Sequence, residues 1–84
     1  MARYYFNTQD GVVVPDADGV ELASGAQAEV EAVELAGEML KEHAKDFWRT
    51  GSFTVTVTDE TGLALFTVIT EANISPAYGR VRIR

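Results

Sequence analysis

The chain reads as an α+β domain of order β(β)αββ: an antiparallel-rich sheet of three or four strands with one long helix packed on one face. Three observations predict this. Residues 24–49 carry helical periodicity, with no proline inside. Residues 52–58, Ser-Phe-Thr-Val-Thr-Val-Thr, alternate with period two. A second strand pattern at 63–70 is joined to them by Asp59-Glu60-Thr61-Gly62, a hairpin loop with glycine where a positive φ is needed.

In chain order, Arg3-Tyr4-Tyr5-Phe6-Asn7 is an aromatic first strand, with Tyr4 and Phe6 on one face and Tyr5 on the other. Gln9-Asp10-Gly11 is a turn, and Val12-Val13-Val14 a short second strand stopped by Pro15. Pro15-Asp16-Ala17-Asp18-Gly19 is dense in turn formers. Val20-Glu21-Leu22 leads into the helix cap. Ser24 with Gln27 has capping-box spacing. On a wheel centred on Ala36, residues Ala32, Val33, Leu40, His43 and Phe47 fall within roughly 60° of the buried direction, with Met39 at the margin. The helix is expected to run as one rod of about 36 Å whose last turn projects, closed by Thr50-Gly51. In the next strand Phe53, Val55 and Val57 face the core. At 63–70, Ala64, Phe66 and Val68 lie on one face and Leu65 and Ile69 on the other. A right-handed crossover is expected to set the first strand beside the last hairpin strand and parallel to the 52–58 strand. Residues 73–79 read as loop, and 80–84, Arg-Val-Arg-Ile-Arg, as an edge strand or an unordered terminus. The organisation is thus one domain over 1–72 with a C-terminal extension, 73–84.

Eighty-four residues bury only about 60% of their unfolded surface, so the core is modest. There is no cysteine, hence no disulfide or thiolate metal site. No apolar run suits a signal peptide or a membrane span, so a cytoplasmic protein without a membrane partner is expected. The net charge of −6 argues against nucleic acid as partner. The charge is uneven: residues 10–46 hold ten acids and two lysines, while 80–84 hold three arginines.

Candidate chemistry is sparse. Asp16-x-Asp18-Gly19 partly matches a calcium loop, but its register puts Val14 and Gly25 at ligand positions, and a turn explains it better. Asp16, Asp18 and Glu21 remain weak candidates for a looser divalent-metal site. His43, the single histidine, is expected in the core. No nucleophile elbow, phosphate loop or acid–base pair is present, so no catalytic residue, cofactor or enzymatic activity is expected. Two surfaces qualify for partner binding. One is the outer sheet face at Tyr5, Leu65 and Ile69. The other is the acidic helix ladder Glu34, Glu38 and Glu42, whose like charges at i, i+4 mildly oppose the helix.

Arg3-Tyr4-Tyr5-Phe6, Pro15-Asp16-x-x-Gly19-Val20-Glu21-Leu22, Ala32-x-x-x-Ala36-x-Glu38-Met39-Leu40 and Val57-Thr58-Asp59-Glu60-x-Gly62-x-x-Leu65 resemble a family of small uncharacterised bacterial proteins, common in soil and plant-associated alphaproteobacteria and catalogued as a domain of unknown function. The resemblance covers residues 3 to about 70. It implies a fold and carries no functional residue. Val13-Val14-Pro15-Asp16, Gly19 and the alanines Ala32 and Ala36 are similar, more weakly, to HicB-type antitoxins, which implies a toxin-binding domain. The chain lacks a DNA-binding tail of the kind those antitoxins carry, and the gap between its first two strands is much shorter. The expectation is a small non-enzymatic protein-interaction domain, with a protein partner or a second copy of itself. The alternatives are an antitoxin-like domain and a weak divalent-metal binder.

Overall fold

The computed structural model describes residues 1–82. The aromatic start forms β1 (Ala2–Gln9), followed by the two-residue β2 (Val13–Val14) and by β3 (Val20–Leu22). Helix α1 (Gly25–Glu42) comes next, then the single turn α2 (Phe47–Thr50), the hairpin β4 (Ser52–Thr58) and β5 (Ala64–Glu71), and α3 (Pro76–Arg82). The sheet is antiparallel throughout, in the order β2-β1-β4-β5, and β3 also pairs with β1. The α+β class and the helix packed on an antiparallel sheet agree with the sequence.

The crossover differs from expectation. β1 pairs with β4 and runs antiparallel to it, Phe6 opposite Val57 and Thr8 opposite Val55. The reason is β3, which sequence alone read as a lead-in to the cap. It returns antiparallel along β1, Leu22 opposite Ala2 and Val20 opposite Tyr4. β3 and β4 are therefore parallel to each other, α1 connects them, and β1 lies between.

Ser24 caps α1, accepting the Gln27 N–H at 3.2 Å. Gln27 Oε1 reaches back to the N–H of Ala23 rather than Ser24, a capping box displaced by one residue. The helix buries Ala28, Ala32 and Ala36 against Phe53, Val55 and Val57, while Leu35, Met39 and Leu40 pack at the margins. Residues 28, 32 and 36 form an i, i+4 row. The buried direction is thereby turned away from Val33, which is 60% exposed. On β4 the alternation holds, with Phe53, Val55 and Val57 buried.

The expected single rod is broken. α1 ends at Glu42, and His43 is its C-cap, exposed rather than in the core. Leu40 and Phe53 line a common cavity, so the chain must return to the sheet close to Leu40. A straight helix to Arg49 would carry it about 13 Å further. The few residues before Phe53 span only ~10 Å. A turn at 43–46 resolves this: the Asp46 and Phe47 N–H groups both bond the His43 carbonyl, and α2 brings Phe47 back to the core. Gly51, at φ 72°, closes α2 as expected.

The segment after β5 is also corrected. Residues 76–82 are helical, not loop and edge strand. Pro76 follows Ser75, whose hydroxyl accepts the Tyr78 N–H at 3.3 Å. Proline just inside a helix start loses nothing, because its missing N–H would be an orphan there. Ile83 and Arg84, part of the expected edge strand, lie outside the described residues.

The helix phase makes a prediction. Ala32→Leu should cost about 1–3 kcal/mol by overpacking the seam. Gly37 faces open space on α1, so Gly37→Ala should stabilise by roughly 0.5–1 kcal/mol. Urea unfolding of both variants checks the pair. Equal effects would mean the helix is rotated from this phase.

Candidate functional site

The loop that suggested a calcium site is structural. β2 and β3 pair with opposite ends of β1, and between them β1 would present unpaired backbone. Asp16 fills that gap. Its Oδ2 accepts the Phe6 N–H at 3.1 Å, and its own N–H donates to Asn7 Oδ1 at 2.9 Å. Its Oδ1 accepts the N–H groups of Asp18 and Gly19, both at 3.2 Å. Asn7 Nδ2 passes the connection on to the Thr56 carbonyl at 3.2 Å. Burial alone would push the Asp16 pKa up, but the N–H groups of Phe6, Gly19 and Asp18 outweigh it and hold the carboxyl below 3.8.

The other two metal candidates are also engaged. Glu21 pairs with Arg3 at 3.0 Å, and Arg3 donates a second bond to the Asp18 carbonyl at 2.9 Å. Among the described residues no group of three or more His, Cys, Asp or Glu is placed to hold a metal ion. Gly19 sits at φ +70° against Tyr5: an added Cβ would lie 2.9 Å from that ring and 3.0 Å from the Tyr4 carbonyl oxygen. The Pro15-Asp16-x-x-Gly19 stretch is thus one device that fastens the chain to β1 and covers Tyr5.

The acidic ladder is divided. Glu34 and Glu38, with Glu31 and Asp16, rim an open groove of about 310 Å³ floored by Phe6, Val20 and Leu35. Glu42, the last residue of α1, does not line it. A smaller cavity of about 170 Å³ at the other end lies among Met39, Leu40, Phe47 and Phe53, with His43 and Asp46 at its polar side.

Tyr5, Leu65 and Ile69 do not form one apolar patch. Tyr5 and Ile69 lie on the outer face, opposite Thr58 and Thr54. Thr56 and Thr67, their hydroxyls 3.3 Å apart, stand between. A register shift between Val57 and Thr58 sets Ala64 opposite Thr58 and leaves Leu65 as the bulged residue, so strict alternation fails there.

Sequence reasoning missed the surface beside Ile69. β5 is eight residues long and forms an edge of the sheet, with no further strand paired to it among the described residues. Glu31, Glu34, Leu35 and Glu38 face the β1 side of the molecule, where they line the groove. The opposite flank of α1, toward β5, carries Glu29 and Val33, with Val33 largely exposed, while Val30, also exposed, lies on the side of the helix turned away from the sheet. The i, i+4 alanine row was the signal that would have placed them outside the core.

The family model for a domain of unknown function, DUF6894, matches residues 3–70. The chain belongs to the DUF6894 family. No curated protein and no solved structure matches it. The match covers β2, β3, β4, α1 and α2 in full and all but one end residue of β1 and of β5, and it stops before α3. No helix among the described residues is long and apolar enough to cross a membrane.

The Asp16 device is testable. Asp16→Ala should cost about 1–3 kcal/mol by leaving the half-buried Phe6 N–H without its acceptor. Gly19→Ala should cost at least about 2 kcal/mol. A depressed folded pKa gives stability that is complete above the unfolded value near 3.8 and is lost as pH falls through the lower folded value. The stability gap between wild type and Asp16→Asn, followed by urea unfolding, should therefore narrow below that pH. A gap that stays constant to low pH would show that the carboxylate charge contributes nothing.

Proposed function

We propose that this DUF6894 chain is a protein-interaction domain that works by association with a second protein chain, in the first instance a copy of itself. One observation carries this reading: large apolar side chains remain exposed on the hairpin and on α1. Leu63, Leu65 and Ile69 on the hairpin and Val30 and Val33 on α1 are all exposed. The accessible surface is 6019 Å², against roughly 4,900 Å² for a compact monomer of 9.2 kDa. The C-terminal helix accounts for part of that excess in a molecule 52 Å long and 21 × 20 Å across.

The polar groups support the same reading. Asp16, Asn7, Arg3 and Glu21 are engaged with one another and with the backbone, in roles that hold the fold together.

Sedimentation velocity from micromolar to millimolar protein tests the proposal. The mass should rise with concentration toward an integral multiple of 9.2 kDa. A single monomeric species across that range would overturn self-association.

A further inference from the structure

Resting on the reading just given, the geometry points to the interface itself: β5 pairs edge to edge and antiparallel with β5 of a second copy, with the two-fold axis at Thr67 and Val33 of each α1 turned toward the seam.

The two edges of the sheet are unlike. On the β1 side the edge is filled by β2 and β3, two and three residues long, interrupted by Pro15 and by the Asp16 side chain. Short strands, proline and an inserted carboxylate are what keep an edge from recruiting another strand. β5 has none of these. From Phe66 to Glu71 it is regular, it contains no proline, and Glu71 is its single charge. Its bulge lies at Leu65, toward one end.

β5 is also complementary to itself. Antiparallel pairing centred on Thr67 sets Phe66 opposite Val68 of the second copy within the regular stretch and brings the bulged Leu65 beside Ile69. Directly opposed apolar pairs of this kind stabilise a sheet, and like charges opposed would destabilise it. In this register Glu71 meets Leu63, not another acid. Centring on Val68 instead would set Leu65 against Glu71 and Phe66 against Thr70. The Thr67 register also prolongs the hydroxyl contact from Thr56 to Thr67 across the axis.

Charge selects the same side. Two copies carrying −6 each repel. Glu31, Glu34, Glu38 and Asp16 are gathered on the groove side. On the β5 side α1 presents Val33 with one acid, Glu29, against the three glutamates on the groove side. Association through β5 buries the flank with the fewest acids and leaves the acidic grooves at the far ends of the assembly. A strand of eight residues is about 27 Å long, and the helix layer stands ~10 Å above it. That strip gives on the order of 300 Å² of flat footprint per copy, the area of a weak dimer that dissociates on dilution.

The absence of cysteine supplies a direct test on the full chain. Thr67→Cys should form an intermolecular disulfide under mild oxidation, because directly opposed residues in an antiparallel pair bring Cα atoms within ~5.5 Å. Thr56→Cys, on the same face of β4, should not, since three strand spacings separate it from its copy, about 14 Å. Ile69→Lys and Val33→Glu should each weaken dimerisation at least tenfold by sedimentation, with circular dichroism confirming that the variants fold. Should either variant fail to fold, the cysteine pair still decides. A dimer that neither substitution weakens and that does not cross-link at Thr67 would overturn this interface while leaving self-association standing. A chain that stays monomeric to millimolar concentration would overturn both.

Discussion

The close approach of α1 to β4, over the row Ala28, Ala32 and Ala36, is the contact on which the rest of the molecule depends. Alanines let a helix backbone come down onto Phe53, Val55 and Val57 without large side chains between the layers. The same choice limits the core. Among the described residues, Val55 and Val57 are the largest side chains that are fully buried. Tyr4, Phe6, Leu35, Met39, Leu40, Phe47, Phe66 and Val68 are drawn in at the margins and only partly covered. At roughly 25 cal/mol per Å² of apolar burial, partial cover is a substantial loss for a domain this small. A thin seam with an apolar rim is thus one consequence of one packing decision.

The second constraint acts at the other edge of β1. A strand placed between two others needs a partner for every outward N–H and carbonyl. β2 and β3 satisfy the two ends, and the Asp16 side chain replaces a strand residue between them. This frees the chain to make the turn that carries Gly19 under Tyr5. It also sets the direction of β3, and through β3 the point from which α1 departs. The β3-α1-β4 crossover around a central β1 follows from that loop, not from the helix.

Much of this was legible in the residues, and the failures have specific physical causes. Period-two alternation in 52–58, glycine at the αL positions 51 and 62 and the Ser24 cap each act through local backbone physics, and each was read correctly. The helix wheel failed by phase. Centring on Ala36 admitted Val33, whereas tertiary packing selected the 28-32-36 row. The helix length failed because nothing local stops residues 43–46 from being helical; the distance back to Phe53 does. Residues 73–79 read as loop, although Pro76 within them stands at a first helical position, where proline is a starter. Asp16 reads first as a turn residue, which it is, and stays a weak metal candidate because a carboxylate that binds backbone N–H groups and one that binds a cation have the same sequence. For the surfaces, Ile69 was legible from alternation. The flank opposite it was not, since it depends on which side of α1 faces β5.

Association and folding in such a chain are one equilibrium. A partner that binds only the folded form stabilises it in proportion to the logarithm of its own concentration. Burying Val33, Ile69 and the outward backbone of β5 would supply apolar contact and strand pairing where the alanine seam supplies little. The acids gathered around the Phe6–Val20–Leu35 groove would then lie at the two ends of a continuous sheet, as far from each other as the assembly permits. A compact seam, a guarded β1 edge, an unguarded β5 edge and a one-sided charge distribution are therefore consistent with a single requirement. The isolated domain has more apolar surface than its own helix can cover, and the β5 side, with Glu29 and Glu71, carries fewer of the acids that would keep a second copy away than the groove side does.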